Sequence, residues 1–145
     1  MNFSTTETLS QQRRTLLLIN GTGFAVWELA QLDMLRANVP ADMVWTMISL
    51  SGAGVWAVTL FLLMRFGPNG KIPKVRLAAL NDELALQNRY KAFQTGFFFA
   101  VGMAGCLYML AGVIEFAARD ALLLVLVAGV TSATYRFALL EGDSE

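Results

Sequence analysis

The sequence predicts an all-α fold, an integral membrane four-helix bundle built from two helical hairpins. Hydrophobic residues make up 56% of the 145 residues and charged residues only 15%, a more apolar composition than that of soluble domains. The apolar residues form four blocks separated by charged connectors, and each block is long enough to cross a hydrocarbon core of roughly 30 Å. The length is that of one transmembrane domain covering residues 1–145.

The four blocks define the predicted membrane spans, which are residues 15–35, 43–66, 93–116 and 121–140. Asp42 precedes the second span and Asp120 the fourth, where each carboxylate can cap the start of its helix. Pro40 helps to end the turn before the second span. Short links join spans one and two and also spans three and four, so two helical hairpins are expected.

The connector between the hairpins, residues 67–91, is long and basic. It opens with the turn signal Gly67-Pro68-Asn69-Gly70, followed by a basic stretch at 71–76. Asn81 could cap a helix, and an apolar stripe then recurs at helical spacing at Leu86, Tyr90, Phe93 and Phe97. We predict an amphipathic helix at headgroup level that runs unbroken into span three. A solvated loop is the alternative.

The distribution of Lys and Arg residues predicts the orientation. Only Arg36 and Arg119 lie near one side of the predicted membrane. Nine basic residues lie near the other side: Arg13, Arg14, Arg65, Lys71, Lys74, Arg76, Arg89, Lys91 and Arg136. We therefore expect a bacterial inner-membrane protein with both termini and the connector in the cytoplasm.

Each predicted span has one stripe of small or polar residues, and such stripes allow close packing between membrane helices. The stripe of the first span is Asn20, Gly21, Phe24, Glu28 and Gln31, and that of the second is Trp45, Ser49, Gly52, Trp56 and Thr59. The stripe of the third span is Gly96, Ala100, Ala104, Tyr108, Ala111 and Glu115, and that of the fourth is Ala121, Ala128, Thr131, Ser132 and Tyr135. We expect these stripes to face one another, although the Gly96-Ala100-Ala104 ladder could instead be a dimerisation face. Trp45, Tyr90 and Tyr135 lie near span ends, where aromatic residues anchor helices at the interface.

Several kinds of chemistry are excluded by the composition. There is no histidine and one cysteine, Cys106, which removes histidine acid–base chemistry, Cys/His metal sites and an intramolecular disulfide. The net charge of zero gives no indication of nucleic-acid binding. Because no nucleophile–base pair or phosphate-binding loop is present either, we predict no catalytic, cofactor-binding or metal-binding residues and no enzyme.

Glu28 is the residue most suggestive of function, because it is an acid inside an apolar span. An ionisable side chain there costs several kcal/mol unless it faces a partner or water. The candidate polar site consists of Glu28, Asn20, Gln31 and Glu115. Two interpretations are open. Glu28 could be a structural contact, neutral or paired with Arg119, or it could be a proton or cation site.

Two resemblances to known families follow from these residues. The segment Asp82-Glu83-x4-Asn88-Arg89-x2-Ala92-x3-Gly96 resembles the lead into a membrane helix in small bacterial inner-membrane proteins of unknown function; it covers about a quarter of the chain. A glutamate in the first of four helices is similar to the small multidrug resistance transporters, whose membrane glutamate binds protons and drug cations. Glu28 is the matching position. That family has short loops throughout, whereas this chain has the long connector.

The sequence therefore favours a non-enzymatic multi-pass membrane protein that acts through helix packing, as an accessory subunit of a larger complex. The alternative is a small proton-coupled transporter that acts as a homodimer, with Glu28 as its titrating group. The predicted partners are the lipid bilayer and either another membrane protein or a second copy of the chain.

Overall fold

The described part of the chain consists of residues 3–38, 42–66 and 83–142 of a computed structural model, and all of its regular secondary structure is helical. The helices are α1 (Phe3–Leu29), α2 (Asp33–Asn38), α3 (Asp42–Leu63), α4 (Glu83–Leu110) and α5 (Ala118–Gly142), with a 3-10 turn, Met64–Phe66, after α3. The predicted roles of Pro40, of the turn at 67–70, of the basic stretch and of Asn81 lie outside the described residues.

Three helices are long and apolar enough, by length and composition, to cross a membrane: Asp42–Phe66, Glu83–Leu110 and Ala118–Glu141. α1 is not among them. It ends at Leu29, too soon after the polar run that contains Arg13 and Arg14 for a long apolar stretch to form. The described residues therefore form an all-helical fold with three candidate membrane helices.

The helix ends differ from the predicted spans in two places. The first predicted span continues to residue 35, but α1 ends at Leu29 and a turn separates it from α2. Arg36 closes this end of α1, because its Nε donates a hydrogen bond to the carbonyl oxygen of Ala30 at 3.1 Å. The third predicted span continues to residue 116, but α4 ends at Leu110 and a non-helical link leads to α5.

The predicted helix that runs unbroken into the third span is confirmed between Glu83 and Leu110. One side of α4 is buried along much of its length, at Ala85, Asn88, Ala92, Gly96 and Leu107. The first four are three or four residues apart, and Leu107 follows Gly96 by eleven residues, about three turns, so all five lie on one face of the helix. The apolar stripe predicted for this region, which includes Tyr90 and Phe93, lies on the exposed side.

The long helices pack side by side in the order α3, α1, α5, α4. In the part of the chain that is described, the extensive contacts between helices are α1 with α3, α1 with α5, and α5 with α4. No comparable contact joins α3 to α4 within these ranges, so the ring of contacts expected of a closed four-helix bundle is not confirmed. α1 and α5 occupy the middle of the row, and α3 and α4 lie at its two edges.

Two glycine pairs allow the helix backbones to come close together. A Cβ atom on Gly52 would lie 2.6 Å from the backbone nitrogen of Trp27, and one on Gly23 would lie 2.9 Å from that of Trp56. These distances are too short for any larger residue, and close approach of this kind is how small residues hold membrane helices together. Gly52 thus packs against α1 at residues outside the predicted stripe of the first span, whereas the predicted contact between the two stripes is found at Asn20, which bonds to Trp56 and Thr59.

The second glycine pair joins α4 to α5. A Cβ atom on Gly96 would lie 2.7 Å from both the Cβ atom of Ala133 and the carbonyl oxygen of Gly129. A Cβ atom on Gly129 would lie 3.1 Å from that of Ala100. The first two residues of the Gly96-Ala100-Ala104 ladder therefore pack against α5 of the same chain, whereas Ala104 is exposed.

Candidate functional site

The polar residues at the end of α1 come together with the start of α5. The resulting cluster, which we call the polar corner, consists of Glu28, Gln31, Asp33, Arg119 and Asp120. It forms because α1 and α5 run antiparallel, so the last turn of α1 lies opposite the first turn of α5. The short helix α2 begins at the same place.

Asp120 is the best-connected residue of the polar corner. Its side chain is buried, and its two carboxylate oxygens accept hydrogen bonds from the backbone N–H groups of Asp33 and Met34, each at 3.0 Å. The first N–H groups of a helix have no partner within that helix, and a carboxylate stabilises them. Asp120 was expected to cap its own helix; instead it lies in the first turn of α5 and caps α2.

Arg119 makes the more exposed contacts of the polar corner. Its Nη2 donates a hydrogen bond to Oε1 of Gln31 at 3.3 Å, and its Nη1 lies 3.8 Å from Oδ1 of Asp33. The side chains of both Arg119 and Asp33 are 57% exposed. Exposed ion pairs contribute little to stability, so the Arg119 contacts stabilise the polar corner less than the buried Asp120 hydrogen bonds do.

Glu28 lies in the last turn of α1 and is only 8% exposed. Arg119 is the charged group that acts on it electrostatically, although that guanidinium bonds to Gln31 and Asp33 instead. Among the described residues, we find no hydrogen bond or ion pair to the Glu28 carboxylate. Glu28 is therefore a buried acid near one arginine, and its carboxylate has no direct partner within residues 3–38, 42–66 and 83–142.

The other two predicted site residues lie elsewhere. Asn20 is buried about two turns before Glu28 in α1. Its Nδ2 donates hydrogen bonds to Oγ1 of Thr59 at 2.9 Å and to the carbonyl oxygen of Trp56 at 3.0 Å. Glu115 is exposed in the link between α4 and α5. The structure thus brings Glu28 and Gln31 together in the polar corner and separates Asn20 and Glu115 from them.

At the other ends of α1 and α5, away from the polar corner, a buried ion pair between Arg13 and Glu141 joins the two helices. Arg13 is 6% exposed and Glu141 is 3% exposed. Nε of Arg13 donates a hydrogen bond to Oε2 of Glu141 at 3.0 Å, and Nη2 contacts Oε1. The guanidinium groups of Arg13 and Arg89 both lie over the Phe137 ring, at 5.7 and 5.8 Å from its centroid.

This ion pair was not predicted from the sequence, in which Arg13 served only as an indicator of orientation. The two residues are 128 positions apart, and no local pattern joins them. Tyr135 was predicted both as an interface anchor and as a member of the fourth stripe facing other helices, and its contacts agree with the second prediction. Its hydroxyl lies 2.7 Å from Oγ1 of Thr22, and its ring covers Gly21, so it joins α5 to α1.

The described side chains offer no obvious place for a metal. Within residues 3–38, 42–66 and 83–142, no group of three or more His, Cys, Asp or Glu side chains is arranged to hold an ion. Comparisons with protein families, with curated proteins and with solved structures find no match. The resemblances to small inner-membrane proteins and to drug transporters therefore stay predictions.

Proposed function

We propose that the chain is a non-enzymatic, multi-pass protein of a bacterial inner membrane. In this proposal α1, α3, α4 and α5 all cross the bilayer, both termini are cytoplasmic, and the protein acts through helix packing as an accessory subunit of a larger membrane complex. Three of these helices have the length and composition of membrane spans. The fourth, α1, needs a separate argument.

The contact between α1 and α5 carries the proposal. α1 lies antiparallel to α5, and contacts extend along both helices from Arg13–Glu141 through Thr22–Tyr135 to Gln31–Arg119. A helix that follows a membrane span over its whole length must occupy the same depth of the bilayer. The polar residues of α1 are acceptable there because neighbouring helices cover them, as they do Asn20 and Glu28.

The surfaces of the two edge helices support a role in association. Large apolar side chains on α3 and α4 point away from the row, and these include Met43, Leu50, Phe61, Phe93, Phe97 and Tyr108. Such surfaces are suited to contact with lipid or with another membrane helix. The buried polar groups Asn20 and Asp120, in contrast, bond to neighbouring helices of the same chain. They hold the protein together instead of forming an open site.

The assembly state tests the proposed function. The full chain is extracted from its native membrane in a mild detergent, and the mass of the purified particle is measured. We expect a particle that contains other membrane proteins in fixed ratio to this 15.9 kDa chain. A particle that contains only one or two copies of the chain would contradict the accessory-subunit proposal. Reporter fusions at residue 145 and within 67–91 test the topology separately, and both should report the cytoplasm.

One observation favours the alternative, a proton-coupled transporter acting as a homodimer. Glu28 is a buried carboxylate without a direct hydrogen-bond or ion-pair partner in the described ranges, and intramembrane acids of this kind serve as proton or ion sites in transporters. Its position in the last turn of α1, near Arg119 at the start of α5, would expose it to a rearrangement of these two helix ends. Glu28 would then be the titrating group.

The substitution Glu28→Gln separates the two proposals, because it keeps the shape and removes the titration. For the accessory subunit we expect the variant to fold and associate like the wild type, with a change in the free energy of unfolding below about 1 kcal/mol. A transporter would fold but lose pH-dependent cation binding, measured by titration calorimetry with a lipophilic cation. Glu7→Gln, at an exposed position of the same helix, is the matched control.

A further inference from the structure

An open hollow lies between the end of α4 and the start of α5. Its volume is about 730 Å³, within the range of small-molecule sites, which is about 300 to 1,000 Å³. Its walls are mostly apolar, with Leu107 from α4 and Leu122 and Val125 from α5. Val125 is two turns into α5, so the hollow extends along the helices by about 10 Å.

The rim of the hollow carries one carboxylate and one exposed aromatic ring. Glu115 lies at the rim in the link between the helices, and Tyr108 lines the same hollow from the last turns of α4. The Tyr108 side chain is 81% exposed. No hydrogen bond or ion pair to the Glu115 carboxylate is found among the described residues, and the nearby Arg119 contacts Gln31 and Asp33 instead.

We propose that this hollow binds a phospholipid with a primary ammonium headgroup, of the phosphatidylethanolamine type. The ammonium would lie against Glu115 and the ring of Tyr108, and one acyl chain would follow Leu107, Leu122 and Val125. An ammonium N–H group forms a strong, charge-assisted hydrogen bond with a carboxylate, and an aromatic ring attracts a cation over its face. The Glu115 carboxylate at the rim complements the ammonium group of this zwitterionic headgroup.

The position of the hollow favours a lipid over a free organic cation. It is open along the sides of two candidate membrane helices, where acyl chains are always present. Its charged rim lies where α4 ends and α5 begins, and with these helices in a bilayer that is the level of the headgroups. This inference rests on the proposed membrane-embedded arrangement. The topology fusions test that arrangement, and the lipid experiment below tests the binding site.

The experiment measures which lipids stay bound to the full chain. The protein in detergent is mixed with equal amounts of phosphatidylethanolamine and phosphatidylglycerol, and the retained lipids are counted by native mass spectrometry. We expect the wild type to retain the ethanolamine lipid about fivefold more than the glycerol lipid. Glu115→Gln should bring that ratio close to one. Glu83→Gln, which removes an exposed acid at the opposite end of α4, should leave the ratio unchanged.

A second variant tests the apolar part of the hollow without altering its charge. Leu122→Trp fills the space between α4 and α5 and should lower retention of the ethanolamine lipid as strongly as Glu115→Gln does. Equal retention of both lipids by the wild type would overturn the proposal, as would unchanged selectivity in Glu115→Gln when its helical content is intact. The same measurement is repeated with dodecylamine, a free amphipathic amine. Retention of dodecylamine without retention of the ethanolamine lipid would overturn the proposal too, because the site would then bind an amine and not a phospholipid.

Discussion

The α1–α3 pair and the α4–α5 pair each contain the same two kinds of contact, a glycine pair and an asparagine hydrogen bond, but the atoms that these contacts involve differ. Each pair has a glycine on both helices at the point of closest approach, and each has a buried asparagine that reaches across to the other helix. At Gly52 the nearest atoms belong to the backbone of Trp27, whereas at Gly96 they include the side chain of Ala133. Asn20 has two acceptors, and Asn88 has one, the carbonyl oxygen of Leu140 at 3.2 Å.

These differences indicate how tightly each pair is constrained. The α1–α3 contact lies beside the rings of Trp27 and Trp56, whose centroids are 5.2 Å apart, so a shift of either backbone disturbs large side chains. The α4–α5 contact consists mainly of small side chains, which leave fewer atoms to rearrange. We therefore expect the first pair to tolerate substitution less well than the second.

The largest effect is expected for Gly52→Leu. The new side chain would overlap the backbone of Trp27, which cannot move without separating α1 from α3, so we expect a loss of about 3 kcal/mol or more in the free energy of unfolding. Denaturant-induced loss of helix, followed by circular dichroism in detergent, measures it. Gly54→Leu is the matched control, because a Cβ atom on Gly54 meets nothing within 4 Å. Equal destabilisation by the two variants would contradict the contact.

A smaller and partly reversible effect is expected for Gly96→Ala. The added methyl group would contact Ala133, so we expect a loss of about 1 to 3 kcal/mol. Adding Ala133→Gly removes one of the two close contacts. The loss in the free energy of unfolding of the double variant should therefore be smaller, by about 1 kcal/mol, than the sum of the losses of the two single variants. The same cycle with Gly52→Ala and Ala133→Gly is the control. It should be additive, because no contact joins these two positions.

The smallest effects are expected at the two asparagines. Asn20→Ala removes hydrogen bonds to two acceptors inside the row and should cost about 1 kcal/mol. Asn88→Ala removes one bond near the end of α5 and should cost about half as much. Both are measured by the same unfolding experiment. A larger loss for Asn88→Ala would show that the α4–α5 pair, and not the α1–α3 pair, depends more on its polar contact.

The sequence was sufficient to predict the helices and much of their contact faces. Periodicity placed Gly52, Trp56 and Thr59 on one side of α3 and Gly96 and Ala100 on one side of α4, because each face depends only on local helical geometry. The break after Leu29 was not predictable in this way. The break contains no glycine or proline, and it is stabilised by Asp120, which is 87 residues away in the sequence.

The candidate site was predicted only in part for the same reason. Glu28 lies in the last turn of α1 and Gln31 in the turn that follows, where its N–H group donates a hydrogen bond to the Glu28 carbonyl oxygen at 3.0 Å, so their proximity is local. Their proximity to Arg119, and the separation of Glu115, depend on how α5 lies against α1 and on where α4 ends. The Arg13–Glu141 pair likewise requires the first and last long helices to be adjacent, which no local pattern encodes.

That pair also has a consequence for biogenesis. During synthesis α1 and α3 leave the ribosome early and can associate through Gly23 and Gly52, while Glu141 emerges more than a hundred residues after Arg13. In the proposed membrane arrangement, the side of α1 that faces α5 therefore has no partner from this chain until α5 has been synthesised. Synthesis of α5 supplies the partners of Arg13 and Thr22, so we expect a chain truncated before α5 to lack these polar contacts of α1.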